Sequence, residues 1–199
     1  MYVKWMQEND VITLVKRRKY LFTKSQQKIF ESVARPDAIQ SFNYLKSNLR
    51  PEAKVVVWGH SLGTGVTSKM GALLAKEKFK PDAYVLEAPF NSIHDAVMTS
   101  KFAHLFAYLG IDIPRVVKGT GLEFESQRWV AQIPEPVMIF HSEDDYDVPY
   151  HLGQTLYSEV KSSKKNIEMK SFTEAGHNYM YTEDRLKTSF QDFINRHIN

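Results

Sequence analysis

Three short stretches of this chain carry side chains suited to acyl-transfer chemistry. The first is Gly59-His60-Ser61-Leu62-Gly63, which follows the β-branched run Val55-Val56-Val57-Trp58 and opens a helical pattern. A serine on a sharp strand-to-helix turn presents its Oγ as a nucleophile, and flanking glycines let the backbone pass close to the elements it joins. Such a serine needs a base, and the base needs an orienting acid. His177, within Thr173-Glu174-Ala175-Gly176-His177-Asn178-Tyr179, is the candidate base. The candidate acids lie in Ser142-Glu143-Asp144-Asp145-Tyr146-Asp147-Val148-Pro149, where Asp144, Asp145 and Asp147 compete and the losers are solvated carboxylates or helix caps. Glu87 is a weaker candidate, expected to be a loop or packing contact, and His60 is expected to pack against or orient the turn. His94, His104, His151 and His197 show no partner pattern and read as surface or structural. The acidic run has no glycine after alternating acids, so it does not spell a calcium loop. Neither a metal site nor a cofactor signature is read.

The elements that must position these groups follow from apolar spacing. After Pro36, Ala38, Phe42, Leu45 and Leu49 mark a helix that stops at Arg50-Pro51. Lys54 to Trp58 reads as a strand, and Leu62, Val66, Met70, Leu73 and Leu74 as the buried stripe of the next helix. Ala83 to Glu87 is a second strand, Val137 to His141 a third and Ile167 to Phe172 a fourth. A helix with Leu152 and Leu156 follows Pro149, and a closing helix carries Leu186, Phe190, Phe193 and Ile194, with Glu183 and Asp184 at its positive end. Between them, residues 90–135 are irregular, with an apolar stripe at Phe102, Leu105, Phe106 and Leu109. Alternating strands and helices with β-branched strands imply an α/β fold with a mostly parallel sheet covered on both faces. In such sheets functional groups gather at the carboxyl ends of the strands, where Ser61, the acidic run and His177 all fall.

Length and composition narrow the class. At 199 residues with 43% hydrophobic and 25% charged residues, one soluble or peripheral domain with a sizeable core is expected. No apolar run reaches the ~20 residues that span a bilayer, and the start lacks the unbroken apolar stretch of a secretory signal. Without cysteine, disulfides and thiolate metal sites are excluded. Residues 1–33 hold seven Lys/Arg against three acids, while the rest of the chain is nearly balanced. The run Lys16-Arg17-Arg18-Lys19, set between apolar clusters, is compatible with a solvated helix face, a peripheral contact to anionic lipid or a nuclear signal. Nothing else suggests nucleic-acid binding, and oligomeric state is not legible.

The order serine, acid, histidine is that of the α/β-hydrolases, and the motifs resemble that superfamily. The stretch from His141 to Pro149 resembles its acid loop, with Ser142 in place of the usual glycine, and the resemblance puts the acid on Asp145. Ala175-Gly176-His177-Asn178 resembles its histidine loop. Gly59 to Val66, Pro81-Asp82-Ala83, Glu87-Ala88-Pro89-Phe90-Asn91 and the acid loop together resemble the alpha/beta-hydrolase-domain-twelve family of membrane-associated serine lipases acting on monoacylglycerols and lysophosphatidylserine. The resemblance implies a lipid ester substrate, an acyl-enzyme, the Leu62 backbone N–H as an oxyanion donor and an endoplasmic-reticulum membrane association. It also implies a cap insertion at about residues 90–135, where the Phe102 stripe either lines an acyl pocket or packs a lid.

The resemblance covers about residues 34–199 and leaves a basic segment, 1–33, unmatched. A complete sheet of this type places further strands before the nucleophile turn, together with the loop that supplies a second oxyanion donor. The chain is therefore expected to be the C-terminal portion of the fold, with an unpaired edge beside the Ser61 strand unless residues 1–33 cover it. The alternative to a working hydrolase is a truncated, weakly active or inactive module derived from one.

Overall fold

The computed structural model describes residues 12–13, 38–50, 52–99 and 124–198. Five parallel strands form one sheet in sequence order: β1 (Ile12–Thr13), β2 (Val55–His60), β3 (Ala83–Glu87), β4 (Val137–Ser142) and β5 (Ile167–Phe172). Helix α1 covers residues 38–48, α2 Leu62–Leu74, α3 Ile93–Met98, α4 Ser126–Val130, α5 Tyr150–Lys161 and α6 Asp184–His197, with a 3₁₀ turn at Met180–Thr182. Because β2 to β5 run the same way, their carboxyl ends share one edge of the sheet.

Alternation along the strands sends two sets of side chains to opposite faces. Val56, Trp58, Val85, Met138, Phe140 and Phe172 meet Leu186, Phe190, Phe193 and Ile194 of α6. Val57, Tyr84, Leu86 and Ile139 meet Phe42 of α1, Met70 and Leu74 of α2, and Leu156 and Val160 of α5. The sheet is thus covered by helices on both faces, and β3, paired on both sides, is buried along its whole length. No helix among the described residues is long and apolar enough to cross a membrane.

Several details add to or differ from the sequence reading: β4 extends to Ser142 rather than ending at His141, and short helices α3 and α4 lie within the stretch read as irregular. Strand β2 runs to His60 rather than stopping at Trp58, because Gly59 and His60 still pair with Leu86 and Glu87 of β3. The buried face of α2 is made chiefly of small residues: Thr64, Gly65, Thr67, Ser68 and Gly71 join Met70 and Leu74, while Leu62, Val66 and Leu73 are only half-buried. A Cβ on Gly71 would lie 2.5 Å from Ile133 Cδ1, and one on Gly65 would run into the Phe124 ring. Close approach of the small residues therefore seats this helix together with Met70 and Leu74. The edge of β2 is paired at its start, where Ile12 and Thr13 lie beside Val55 and Val56. The basic run at residues 16–19 and the stripe of Phe102, Leu105, Phe106 and Leu109 lie outside the described residues.

Candidate active site

Ser61 follows the last residue of β2 and adopts φ 53°, a left-handed conformation that costs a residue with a Cβ roughly 1–3 kcal/mol. Its surroundings hold it there. The Ser61 N–H donates to Glu87 O at 2.9 Å, and its carbonyl accepts the Thr64 N–H at 2.8 Å and the Thr64 hydroxyl at 2.6 Å. Gly59 makes the turn sterically possible: a Cβ there would sit 2.5 Å from Thr67 Oγ1 and 2.6 Å from the Gly63 carbonyl oxygen. Gly63 is different, since a Cβ there would meet nothing within 4 Å. Only the first of the two glycines is demanded by close packing. Leu62 opens α2, so its N–H is among the first-turn donors without an intrahelical acceptor.

The acid follows β4. Asp145 is buried, and its Oδ1 accepts the N–H groups of Asp147 and Val148, each at 2.9 Å. Its Oδ2 lies 2.8 Å from Nδ1 of His177, which follows β5, and 3.4 Å from Nε2 of His141. Burial pushes this carboxyl up, but hydrogen bonds from His141, His177 and the Val148 N–H outweigh it and hold the group below the usual carboxylate range. An anionic Asp145 requires His177 to carry its proton on Nδ1, leaving Nε2 as the basic nitrogen. Among the acids the sequence left in competition, the geometry joins Asp145 to His177. His141 is fully buried; its single Nε2–H lies between Val148 O at 2.9 Å and Asp145 Oδ2 at 3.4 Å, and its Nδ1 has no hydrogen-bond partner among the described residues. Gly153 of α5 leaves room for that ring, since a Cβ there would collide with His141 Nδ1.

His60, the residue before Ser61, ties the end of β2 to the histidine loop. The His60 ring stands 4.9 Å from that of His177, centroid to centroid, and its Nε2 donates to the His177 carbonyl at 2.8 Å. Ser61 Oγ itself makes no hydrogen bond to His177 among the described residues; bonds of this kind tighten when a substrate occupies the site. Glu87, opposite His60 across β2 and β3, is nearly fully buried and accepts the Trp58 indole N–H at 2.7 Å. Burial raises its carboxyl above the usual range, against the opposing pull of His60, Trp58 and His177. Its bond to Trp58 in the core agrees with the expected packing contact.

Sequence reasoning missed an apolar wall beside these groups. Phe90, Phe124, Val148 and Leu152 form a buried cluster with Leu62, Val66, Ala96 and Trp129 packed against it. Leu62 adjoins the serine and Val148 lies close behind the acid, so the cluster borders both. Residues from four separated segments compose it, and no local periodicity marks them as one surface.

The profile of the prolyl oligopeptidase family matches residues 22–199. The chain is 30% identical over 170 residues to the lysophosphatidylserine lipase ABHD12 of Rattus norvegicus, covering 80% of this chain and 42% of that protein. It is 31% identical over 168 residues to that of Danio rerio, covering 79% of this chain and 44% of that protein. The chain thus spans less than half the length of these curated relatives. Among solved structures, the esterase Pf2001 of Pyrococcus furiosus superposes with a TM-score of 0.60 at 20% identity, over 90% of this chain and 66% of that one. That likeness shows the α/β-hydrolase fold.

Proposed function

The chain belongs to the prolyl oligopeptidase family of α/β-hydrolases, and from that premise we propose that it is a serine ester hydrolase acting on lipid esters of the monoacylglycerol or lysophospholipid kind. Ser61 is the nucleophile, His177 the base and Asp145 the orienting acid. Ser61 Oγ attacks the ester carbonyl carbon as His177 Nε2 takes the hydroxyl proton. The carbonyl electrons move to oxygen, and the Leu62 N–H donates to the resulting oxyanion. The bond to the leaving alcohol then breaks, the alcohol takes the proton from His177, and an acyl-Ser61 ester remains. Water, deprotonated by the same nitrogen, attacks that ester and releases the fatty acid and free Ser61. The hydrolase unit proposed is residues 34–199, with a cap at about 90–135; the basic segment before it, 1–33, adds Ile12–Thr13 to the sheet and shares the family match from residue 22.

The observation that carries this reading is the 2.8 Å Asp145–His177 bond, set on the same sheet edge as a serine held at positive φ. The lipid part rests on two supports. The relatives are named as lysophosphatidylserine lipases, and Leu62, the residue after Ser61, packs against the buried apolar cluster of Phe90, Phe124, Val148 and Leu152, an apolar setting compatible with an acyl chain. The test is labelling of the purified chain with a fluorophosphonate beside Ser61→Ala, followed by turnover of monoacylglycerol, lysophospholipid and peptide-amide substrates. Labelling lost in Ser61→Ala with turnover of the lipid esters is expected. A folded monomer that does not label overturns the enzyme reading, and preference for the amide overturns the substrate class.

A further inference from the structure

The histidine loop is tied to the acid loop by a second set of bonds that the triad does not use. Ser142, the last residue of β4, is fully buried. Its Oγ accepts the Ala175 N–H at 3.0 Å and lies 2.5 Å from Asp144 Oδ1 and 3.1 Å from Phe172 O. The same Asp144 oxygen accepts the Gly176 N–H at 2.8 Å. A hydroxyl has one proton, and the carboxylate is the stronger and closer acceptor, so Ser142 donates to Asp144. The hydrogen bond from Ser142, with that from Gly176, holds the Asp144 carboxyl below its ordinary range despite some burial.

Ala175 and Gly176 are the two residues immediately before His177, and Gly176 sits at φ 55° with open space around its Cα hydrogen. Fixing two consecutive N–H groups fixes the peptide planes that aim the His177 side chain. Asp144 immediately precedes Asp145, so the same bonds set the spacing between the two loops. We propose that Ser142 and Asp144 are positioning residues: together they staple the histidine loop to the acid loop and hold His177 in register with Asp145. The proposal rests on His177 being the catalytic base.

The test uses Ser142→Ala, Asp144→Ala and Asp144→Asn in the full chain. Ser142→Ala and Asp144→Ala are each expected to slow fluorophosphonate labelling on the order of tenfold. Exchange of the Ala175 and Gly176 amides should accelerate by a similar factor, and the imidazole Nδ1–H proton resonance of His177 should broaden. Asp144→Asn keeps an oxygen for both donors, so it should restore labelling to within about threefold of the parent. The double alanine variant should be less than additive, as expected for one network. Asp144 is only half-buried, so its variants report even if Ser142→Ala does not fold. Unchanged labelling and unchanged exchange in folded Asp144→Ala overturn the staple, as does failure of Asp144→Asn to restore what Asp144→Ala loses. A parent that does not label overturns the enzyme reading alone, because amide exchange and the imidazole resonance still read the staple.

Discussion

The serine side of the site and the acid–histidine side are held by different physics. Ser61 is placed by sterics: a strained φ, a glycine into which Thr67 and the Gly63 carbonyl press, and backbone bonds to Glu87 and Thr64. Its hydroxyl makes no hydrogen bond among the described residues. Asp145 and His177 are placed by saturation, with both carboxylate oxygens occupied and two flanking loops cross-linked. In the proposed mechanism the nucleophile must keep its lone pairs available, whereas the orienting acid must stay ionised, which hydrogen bonds to its carboxylate favour. Backbone strain suits the first and hydrogen bonding the second.

The largest effect expected on this contrast comes from Asp145→Asn. The amide keeps an oxygen for the Asp147 and Val148 N–H groups but faces His177 with an N–H, which forces the wrong tautomer. Labelling of Ser61 should fall by about four orders of magnitude, while the urea midpoint moves little. On the serine side, Gly59→Ala should destabilise the protein by about 1–3 kcal/mol, because backbone has to shift to admit the methyl group. Gly63→Ala should leave stability unchanged or raise it by up to about 1 kcal/mol, through helix propensity alone. Equal costs for the two alanines, read by urea denaturation, would break the steric account. His60→Phe, which keeps the ring against His177 but removes the donor to its carbonyl, should slow labelling roughly tenfold, with His60→Gln recovering most of it.

The smallest effect sharpens the comparison from the opposite end of the sheet. Lys164 precedes β5 and is buried, with Nζ donating to Ile133 O at 2.5 Å and Glu135 O at 2.6 Å. Burial lowers its ammonium from 10.5 to about 8. Between those values the unfolded chain binds more protons than the folded one, so this group makes stability rise with pH across the window. Denaturation between pH 8 and 10.5 should show that slope, and Lys164→Met should flatten it. This buried ammonium, held by two carbonyls and favoured by the nearby Glu135 carboxylate, belongs to the floor of the sheet, away from the candidate site.

The sequence made the framework legible where the physics is local. Ala83–Glu87 and Ile167–Phe172 have the predicted bounds, and α6 buries Leu186, Phe190, Phe193 and Ile194 as their spacing requires. The serine motif was readable because strand, turn and helix are contiguous. What eluded sequence reading depends on pairings between distant segments. Met70 and Leu74 of α2 are buried as their spacing requires, but the close approach of Gly65 and Gly71 to Phe124, Ile133 and Tyr84 was not legible. Asp144 looked like a free loop carboxylate because its partners are Ser142, which stands where the resemblance expects glycine, and Gly176, 32 residues away. Glu87 was expected to be a loop or packing contact, but its partner, the Trp58 indole 29 residues earlier on the neighbouring strand, was not legible.

The arrangement of contacts along the chain also has a kinetic side. Asp145 and His177 are 32 residues apart and belong to one β–α–β unit, β4–α5–β5, whereas the His60–His177 bond closes a loop of 117 residues. Closing the longer loop costs roughly 1 kcal/mol more in chain entropy, and contacts of high sequence separation form slowly. During refolding, the acid–histidine pair should therefore assemble with its own β–α–β unit, and the serine should dock afterwards. Reactivity at Ser61 then reports completion of the tertiary structure: a chain that has regained its helical signal but not its labelling has stopped one step short of native.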